Sequence, residues 1–211
     1  MRLTRRLAAA LFAAFVTAPS ALPLLVPVPA WAADDPAVQT VRDLYAAFSA
    51  AVKDGPGPLP ARVEAVGPAI EKAFDFPAMT RLAVGTKWSS FTPEQQAAVI
   101  DAFKRSLTIT YANRLARAAG GKFDVTPKVE ERGAQRVVPT RVTAADGDDS
   151  AVDFVVNAEN RIQDVLLNGD VSEIAAQRNA LSAPLKSGGA DGVVKFLRAR
   201  ADGMLAAKPT P

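Results

Sequence analysis

The stretch TPEQQAAVIDAFKRSLTITYANRLARAAGG, residues 92–121, carries the strongest helix signal in the chain and decides the fold around it. Thr92 is a suitable N-cap, Pro93 fits a first helical turn, and Gly120-Gly121 is a stop signal. Apolar residues at spacings of three and four predict one buried face: Val99, Ile100, Phe103, Leu107, Tyr111 and Leu115. Such a helix spans roughly 40 Å, which is long enough to cross a whole sheet.

The pattern changes from helix to strand after this stretch. Four strand-like runs follow, at about 123–130, 135–144, 150–158 and 161–168. The links between them are short and have turn composition, namely Arg132-Gly133, Asp146-Gly147-Asp148-Asp149 and Glu159-Asn160. Pro139 predicts an edge position or a bulge in the second strand, because proline has no amide proton to donate. The sequence therefore predicts a meander of at least four antiparallel strands.

Further helical patterns lie on both sides of the strands. Helices are predicted at about 35–53 and 60–74, with Gly67-Pro68 bending or splitting the second, and Ser172 can cap a helix that precedes a separate last one. Helices, strands and helices in this order predict an α+β domain. We expect the helices to pack on one face of a curved antiparallel sheet, with the long helix covering that face and a pocket between the layers.

The N-terminus has the three parts of a signal peptide. Arg2, Arg5 and Arg6 precede an uncharged stretch, residues 7–32, which ends in the small-x-small pattern Ala30-Trp31-Ala32. A membrane anchor is the alternative, but four prolines interrupt the helix that an anchor needs. We predict a signal peptide over residues 1–32, cleavage near Ala32, and export of a single domain over residues 33–211.

The composition narrows the possible functions. The three N-terminal arginines account for the whole formal charge of +3, so the mature domain is neutral and gives no support for nucleic-acid binding. The chain has no cysteine and no histidine. Their absence removes disulfides, thiol nucleophiles, the usual general base near neutral pH and the commonest zinc ligand. We expect no catalytic residue, no metal site and no cofactor.

Two kinds of residue remain as candidates. Apolar side chains of the helices and strands form a core in any domain, but they can also bury an acyl chain at roughly 0.8 kcal/mol per methylene. Asp75, between two phenylalanines, and Asp164, in the fourth strand, are alternative candidates for a general base. Helix capping is the competing interpretation of Asp75. A third possibility is an adaptor whose apolar residues form an exposed protein-binding face.

Three stretches resemble one known family. They begin at Phe74-Asp75-Phe76-Pro77-Ala78-Met79, at Phe91-Thr92-Pro93-Glu94-Gln95-Gln96, and at Ile162-Gln163-Asp164-Val165, the last continuing through Gly169-Asp170-Val171-Ser172 to Gln177-Arg178. In this order they resemble the MlaC-type, or toluene-tolerance Ttg, family of periplasmic lipid-binding proteins, over nearly all of the mature chain. Asp170 and the pair Asn160-Arg161 depart from the usual pattern and are more similar to the hopanoid-biosynthesis-associated branch. Phospholipid and hopanoid are therefore equal alternatives for the ligand.

The resemblance implies a lipid carrier with an NTF2-like sheet, which buries lipid tails and shuttles the lipid between inner and outer membrane complexes. The implied partners are a membrane lipid and, transiently, membrane-bound transport complexes. An NTF2-like enzyme with an aspartate base and a small apolar substrate is the alternative. The expected lipid-binding residues are Phe76, Met79, Trp88, Phe103, Leu107, Tyr111, Val142, Phe154 and Val165.

Overall fold

The computed structural model describes residues 35–207, so the predicted signal peptide and its cleavage site lie outside the described residues. No helix in the described range is long and apolar enough to cross a membrane. The elements, in chain order, are α1 (Pro36–Ala51), α2 (Leu59–Ala73), α3 (Phe76–Val84), α4 (Pro93–Arg114), β1 (Lys122–Val125), β2 (Glu130–Arg132), β3 (Gln135–Val138), β4 (Thr140–Thr143), β5 (Asp149–Val156), β6 (Ile162–Leu167), β7 (Val171–Ser172) and α5 (Glu173–Ala206).

The seven strands form one antiparallel sheet centred on β5. Strands β3 and β4 pair with one edge of β5, and β6 pairs with the other. Outside them, β2 pairs with β3, β1 with β4, and β7 with β6. The prediction of an α+β domain with an antiparallel sheet of at least four strands is confirmed.

Pro139 explains why the second predicted strand appears as two. The register against β5 is continuous across this proline, because Val138 lies opposite Phe154 and Arg141 lies opposite Ala151. The ladder is interrupted because Pro139 has no amide proton. The predicted edge position or bulge at Pro139 is wrong, because β3 and β4 each have a neighbouring strand on both sides and their register against β5 contains no bulge.

Side-chain caps mark the starts of α1, α3, α4 and α5, but not that of α2. Asp35 accepts a hydrogen bond from the amide of Ala37 at the start of α1, and Thr92 and Gln95 form a reciprocal capping box at the start of α4. Helix α4 has 22 residues and continues as a 3₁₀ turn over Leu115–Ala118, so it is shorter than predicted. Of the two predicted effects of Gly67-Pro68, a split is wrong, because α2 runs without interruption through Pro68, and a bend stays a prediction.

Helix α5 joins the two helices that the sequence predicts at the C-terminus. A kink at Gly189, with φ 55° and ψ −138°, separates its halves. This conformation suits glycine because a side chain is strained at positive φ. The kink brings Gly192 so close to Pro184 that a Cβ atom there would lie 2.4 Å from the proline carbonyl oxygen.

The helical layer contacts the sheet mainly through α1, α3 and α5. Helix α1 packs against β1 and β3, whereas α3 and α5 pack against β6. Helix α4 packs chiefly against α2, α3 and α5. The C-terminal end of α4 borders a cleft on the sheet side.

Candidate functional site

A cleft of about 360 Å³ lies between α1, the C-terminal end of α4 and the sheet; we call it the sheet cleft. Its volume is within the range of small-molecule sites, roughly 300–1,000 Å³. The lining is mostly apolar, with a few polar side chains: Tyr45, Phe48, Phe74, Tyr111, Arg114, Leu115, Arg117, Ala118, Phe123, Val142, Ser150, Ala151, Val152, Phe154, Leu167 and Asn168.

Strand register brings the sheet side of this lining together. Phe123 of β1 lies opposite Val142 of β4, and Val142 lies opposite Ser150 of β5. Val152 and Phe154 follow Ser150 at intervals of two, so these side chains share one face of β5. The meander therefore builds one wall of the sheet cleft from residues far apart in the sequence.

Aromatic rings from α1 close the opposite wall. The ring of Tyr45 lies 4.8 Å from that of Phe123 and 5.6 Å from that of Phe154, measured between centroids. The ring of Phe48 lies 6.4 Å from that of Phe123. Such tilted and edge-on contacts stabilise aromatic clusters beyond simple burial. The aromatic rings of α1 and of the sheet thus pack together along the sheet cleft.

Basic side chains from the end of α4 and the turn after it also line the sheet cleft. Arg114 donates a hydrogen bond to Glu173 at 2.8 Å, and its guanidinium lies 5.9 Å from the centroid of the Tyr111 ring. Arg117 is exposed and has no ion-pair partner within residues 35–207. An apolar cleft bordered by two guanidinium groups suits an amphiphile with a negatively charged head group.

The two tyrosines of the chain both line the sheet cleft. The hydroxyl of Tyr45 lies 2.6 Å from Oγ1 of Thr140, which itself donates to the carbonyl of Val152. The hydroxyl of Tyr111 is buried and has no partner among the described residues. Burial raises the pKa of both tyrosines, so both hydroxyls stay protonated.

The structure brings three of the nine predicted lipid-binding residues to the sheet cleft: Tyr111, Val142 and Phe154. Trp88 is half-buried elsewhere, against the ring of Phe91. The remaining five are buried in the core and do not line the sheet cleft: Phe76, Met79, Phe103, Leu107 and Val165. Contact of any of the nine with lipid stays a prediction.

The two aspartates considered as general bases serve as caps and do not line the sheet cleft. One oxygen of Asp75 accepts from the amide of Ala78 at the start of α3, and the other accepts from Asn157. Asp164 accepts from the amide of Ile174 at the start of α5. The capping interpretation of Asp75 is confirmed, and neither carboxylate is placed to act on a molecule in the sheet cleft.

Several residues of the sheet cleft are missing from the sequence prediction. The sequence pattern places Tyr45 and Phe48 only on the apolar face of the first helix, and no pattern singles out Arg114 or Arg117. Phe123 could have been predicted, because a hairpin turn at Arg132-Gly133 places it opposite Val142, which the sequence prediction already includes. Within residues 35–207 there is no cluster of three or more acidic, cysteine or histidine residues that fits a metal ion.

A second, smaller depression of about 350 Å³ lies between the end of α3 and the first half of α5; we call it the basic groove. It is lined by Ala83, Val84, Lys87, Arg178, Ser182, Leu185 and Lys186, without a carboxylate. Arg178 donates to the backbone carbonyl of Leu82, a residue that is 40% exposed. Leu82 and Val171 are the only exposed large hydrophobic residues in the described part of the chain, so no broad apolar face supports the adaptor alternative.

Comparison with known proteins agrees with this architecture. A solved structure of a phospholipid-binding protein from Ralstonia solanacearum, in complex with a phospholipid, matches with a TM-score of 0.68 and 29% identity. The match covers 82% of this chain and 99% of that chain. No curated protein matches. The family model described as MlaC protein matches residues 39–199, and the chain therefore belongs to the MlaC family.

Proposed function

We propose that the protein is a periplasmic lipid carrier, exported by a signal peptide over residues 1–32 and acting as a single domain over residues 33–211. It buries the tails of a phospholipid or a hopanoid-type lipid in the sheet cleft and leaves the head group at the cleft mouth. The observation that carries the proposal is the mostly apolar lining of the sheet cleft, bordered by Arg114 and Arg117. The phospholipid complex of the similar Ralstonia protein supports the same ligand class.

Burial supplies the affinity in this proposal. Each methylene moved from water into the sheet cleft contributes roughly 0.8 kcal/mol, so a few buried methylenes suffice for stable retention. Arg114 and Arg117 add charge-assisted hydrogen bonds to a head-group phosphate. Because neither contribution involves a covalent bond, the lipid is released unchanged.

The test is native mass spectrometry of protein purified from the periplasm without detergent. We expect a copurifying lipid that dissociates intact, and we expect delipidated protein to take up lipid from phosphatidylglycerol vesicles. If no lipid copurifies and delipidated protein takes none up, the protein is not a lipid carrier.

A pair of variants localises the lipid to the sheet cleft. Val142→Trp fills the cleft from β4, and we expect it to reduce uptake by at least about tenfold, because lost burial of two methylenes alone has that effect. Arg141→Trp is the matched control, since Arg141 is exposed on the opposite face of the same strand. Equal uptake by both variants would exclude the sheet cleft as the site.

We further propose that the carrier docks to membrane-bound transport complexes through the basic groove. Lys87 and Lys186 are exposed, line a depression without carboxylates, and have no ion-pair partner within the described range. Leu82 provides an apolar contact at the edge of this positive surface. Such a surface is complementary to an acidic protein surface. Because the domain as a whole has no net charge, this local positive charge would orient the carrier as it approaches its partner.

A further inference from the structure

The two tyrosine hydroxyls of the sheet cleft differ in one respect. The hydroxyl of Thr140 donates its hydrogen bond to the carbonyl of Val152. In the 2.6 Å contact between Tyr45 and Thr140, the hydroxyl of Tyr45 is therefore the donor. The hydrogen bond of Tyr45 is therefore satisfied within the protein. The hydroxyl of Tyr111 is equally shielded from solvent, but no described residue accepts its proton.

An unpaired buried tyrosine hydroxyl is unusual, because buried polar groups nearly always find a partner. Tyr111 is held firmly, with its ring 5.3 Å from that of Phe74 and the guanidinium of Arg114 5.9 Å from its centroid. Burial raises the pKa of Tyr111, so the hydroxyl keeps its proton and remains a donor. The Tyr111 hydroxyl is therefore a protonated donor without an acceptor in the described chain, and an oxygen atom of a bound molecule can accept its hydrogen bond.

The position of Tyr111 in α4 identifies the part of a lipid that meets it. Arg114 follows Tyr111 by three residues, so the two side chains are neighbours on one face of the helix. Arg114 is about half exposed at the cleft mouth, whereas the hydroxyl of Tyr111 is sealed from solvent. A diacyl phospholipid has the same order of groups: the charged phosphate lies outermost, and the ester carbonyls lie between it and the tails.

We infer that Tyr111 is a specificity-determining residue, whose hydroxyl donates a hydrogen bond to an ester carbonyl oxygen of the bound lipid. This inference rests on the proposed carrier function and narrows its ligand to acyl-ester lipids. A hydrocarbon of the triterpene type has no acceptor at this level and leaves the hydroxyl unpaired. A dialkyl ether lipid has only a weak acceptor there.

The test offers delipidated protein an equimolar mixture of dioleoyl phosphatidylglycerol and its dialkyl ether analogue in vesicles. Native mass spectrometry then measures the ratio of the two lipids bound. One hydrogen bond corresponds to a preference of about three- to tenfold for the ester lipid. We expect this preference in the wild type and a ratio near one in Tyr111→Phe, with squalene taken up more weakly than the ester lipid by the wild type.

Thr110→Val is the matched control. It removes a buried hydroxyl from the same turn of α4, but Thr110 does not line the sheet cleft and already donates to the carbonyl of Ser106 at 2.8 Å. We expect this variant to keep the preference for the ester lipid. Loss of the preference in both variants would assign it to the packing of α4 and overturn the role of Tyr111.

The outcomes separate this inference from the carrier function. Uptake of ester and ether lipid in equal amounts by the wild type would leave the carrier function intact and overturn the role of Tyr111. An unchanged preference for the ester lipid in Tyr111→Phe would also leave the carrier function intact and overturn the role of Tyr111. It would indicate that the hydroxyl of Tyr111 donates to a bound water instead. If the wild type takes up neither lipid, the carrier function and this inference both fail.

Discussion

Arg114, in the last turn of α4, donates a hydrogen bond of 2.8 Å to Glu173, the first residue of α5. The carboxylate of Glu173 is only 3% exposed and also accepts from Gln177 at 2.7 Å. Gln177 in turn accepts from Arg200, beyond the kink of α5, at 3.1 Å. A chain of polar contacts therefore ties the mouth of the sheet cleft to both halves of α5.

Replacement of Arg114 by methionine should destabilise the protein. The substitution keeps the apolar stem but leaves the buried carboxylate of Glu173 without its cation. Loss of a partner from a fully buried pair costs about 3–5 kcal/mol. Because Arg114 is about half exposed, we expect a smaller decrease, about 1–3 kcal/mol, in the unfolding free energy measured by urea denaturation. Arg117→Met, at an unpaired position, should change it by less than about 0.5 kcal/mol, and equal effects would contradict a role for the ion pair.

The two tyrosines should respond oppositely to loss of their hydroxyls. Tyr45→Phe removes the donor to Thr140 and should lower the unfolding free energy by about 1 kcal/mol. Tyr111→Phe removes a buried hydroxyl without a partner and should raise the stability of the lipid-free protein by up to about 1–2 kcal/mol. Thermal and urea denaturation of delipidated protein measure both. Destabilisation by Tyr111→Phe would indicate a partner for its hydroxyl in the lipid-free state.

Sequence patterns predicted the sheet better than the cleft. The turns at Gly133, Gly147 and Asn160 are local sequence signals. The antiparallel pairing of the strands that they connect can therefore be predicted from short segments. The site depends instead on which helix reaches the sheet. Phe103 and Leu107 are buried on α4 but do not line the sheet cleft, whereas Tyr45 of α1 belongs to its aromatic wall. Periodicity identifies a buried face and does not identify what buries it.

An alkaline titration tests the burial of both tyrosines. Burial raises their pKa in the folded protein above the unfolded value of about 10, so only the unfolded chain loses these protons just above that pH. The contribution of the two protonated tyrosines to the unfolding free energy is therefore complete below pH 10 and is lost as the pH rises above it. Each tyrosine should lower the unfolding free energy by about 1.4 kcal/mol per pH unit in this range.

The measurement is phenolate absorbance recorded together with far-UV circular dichroism. Because Tyr45 and Tyr111 are the only tyrosines in the chain, phenolate should appear only as the helices are lost. Ionisation near pH 10 in a protein that keeps its circular dichroism would show that at least one of the two hydroxyls is open to solvent.

The kink of α5 can be tested at Gly192. An alanine Cβ at this position would lie 2.4 Å from the carbonyl oxygen of Pro184, so the backbone must shift. We expect Gly192→Ala to lower the unfolding free energy by about 1–3 kcal/mol, the usual cost of overpacking. Gly203→Ala, later in the same helix, meets no atom within 4 Å and should raise it by about 0.5–1 kcal/mol. Urea denaturation compares the two variants, and stabilisation by both would mean that the halves of α5 are not in close contact.

Charge reversal tests the basic groove as a docking surface. Lys87→Glu combined with Lys186→Glu inverts its charge, and we expect retention of the protein on membranes isolated from its source organism to fall about tenfold or more. Lys53→Glu with Lys128→Glu makes the same change in net charge at two exposed positions outside the groove and should have little effect. Protease treatment of the membranes should abolish retention of the wild type, and protein-free liposomes of the extracted lipids should retain little. Equal loss of membrane retention in both double variants would show that net charge, and not the basic groove, determines retention. Full retention of the wild type on the liposomes would identify the lipid surface, rather than an acidic protein, as the partner of the groove.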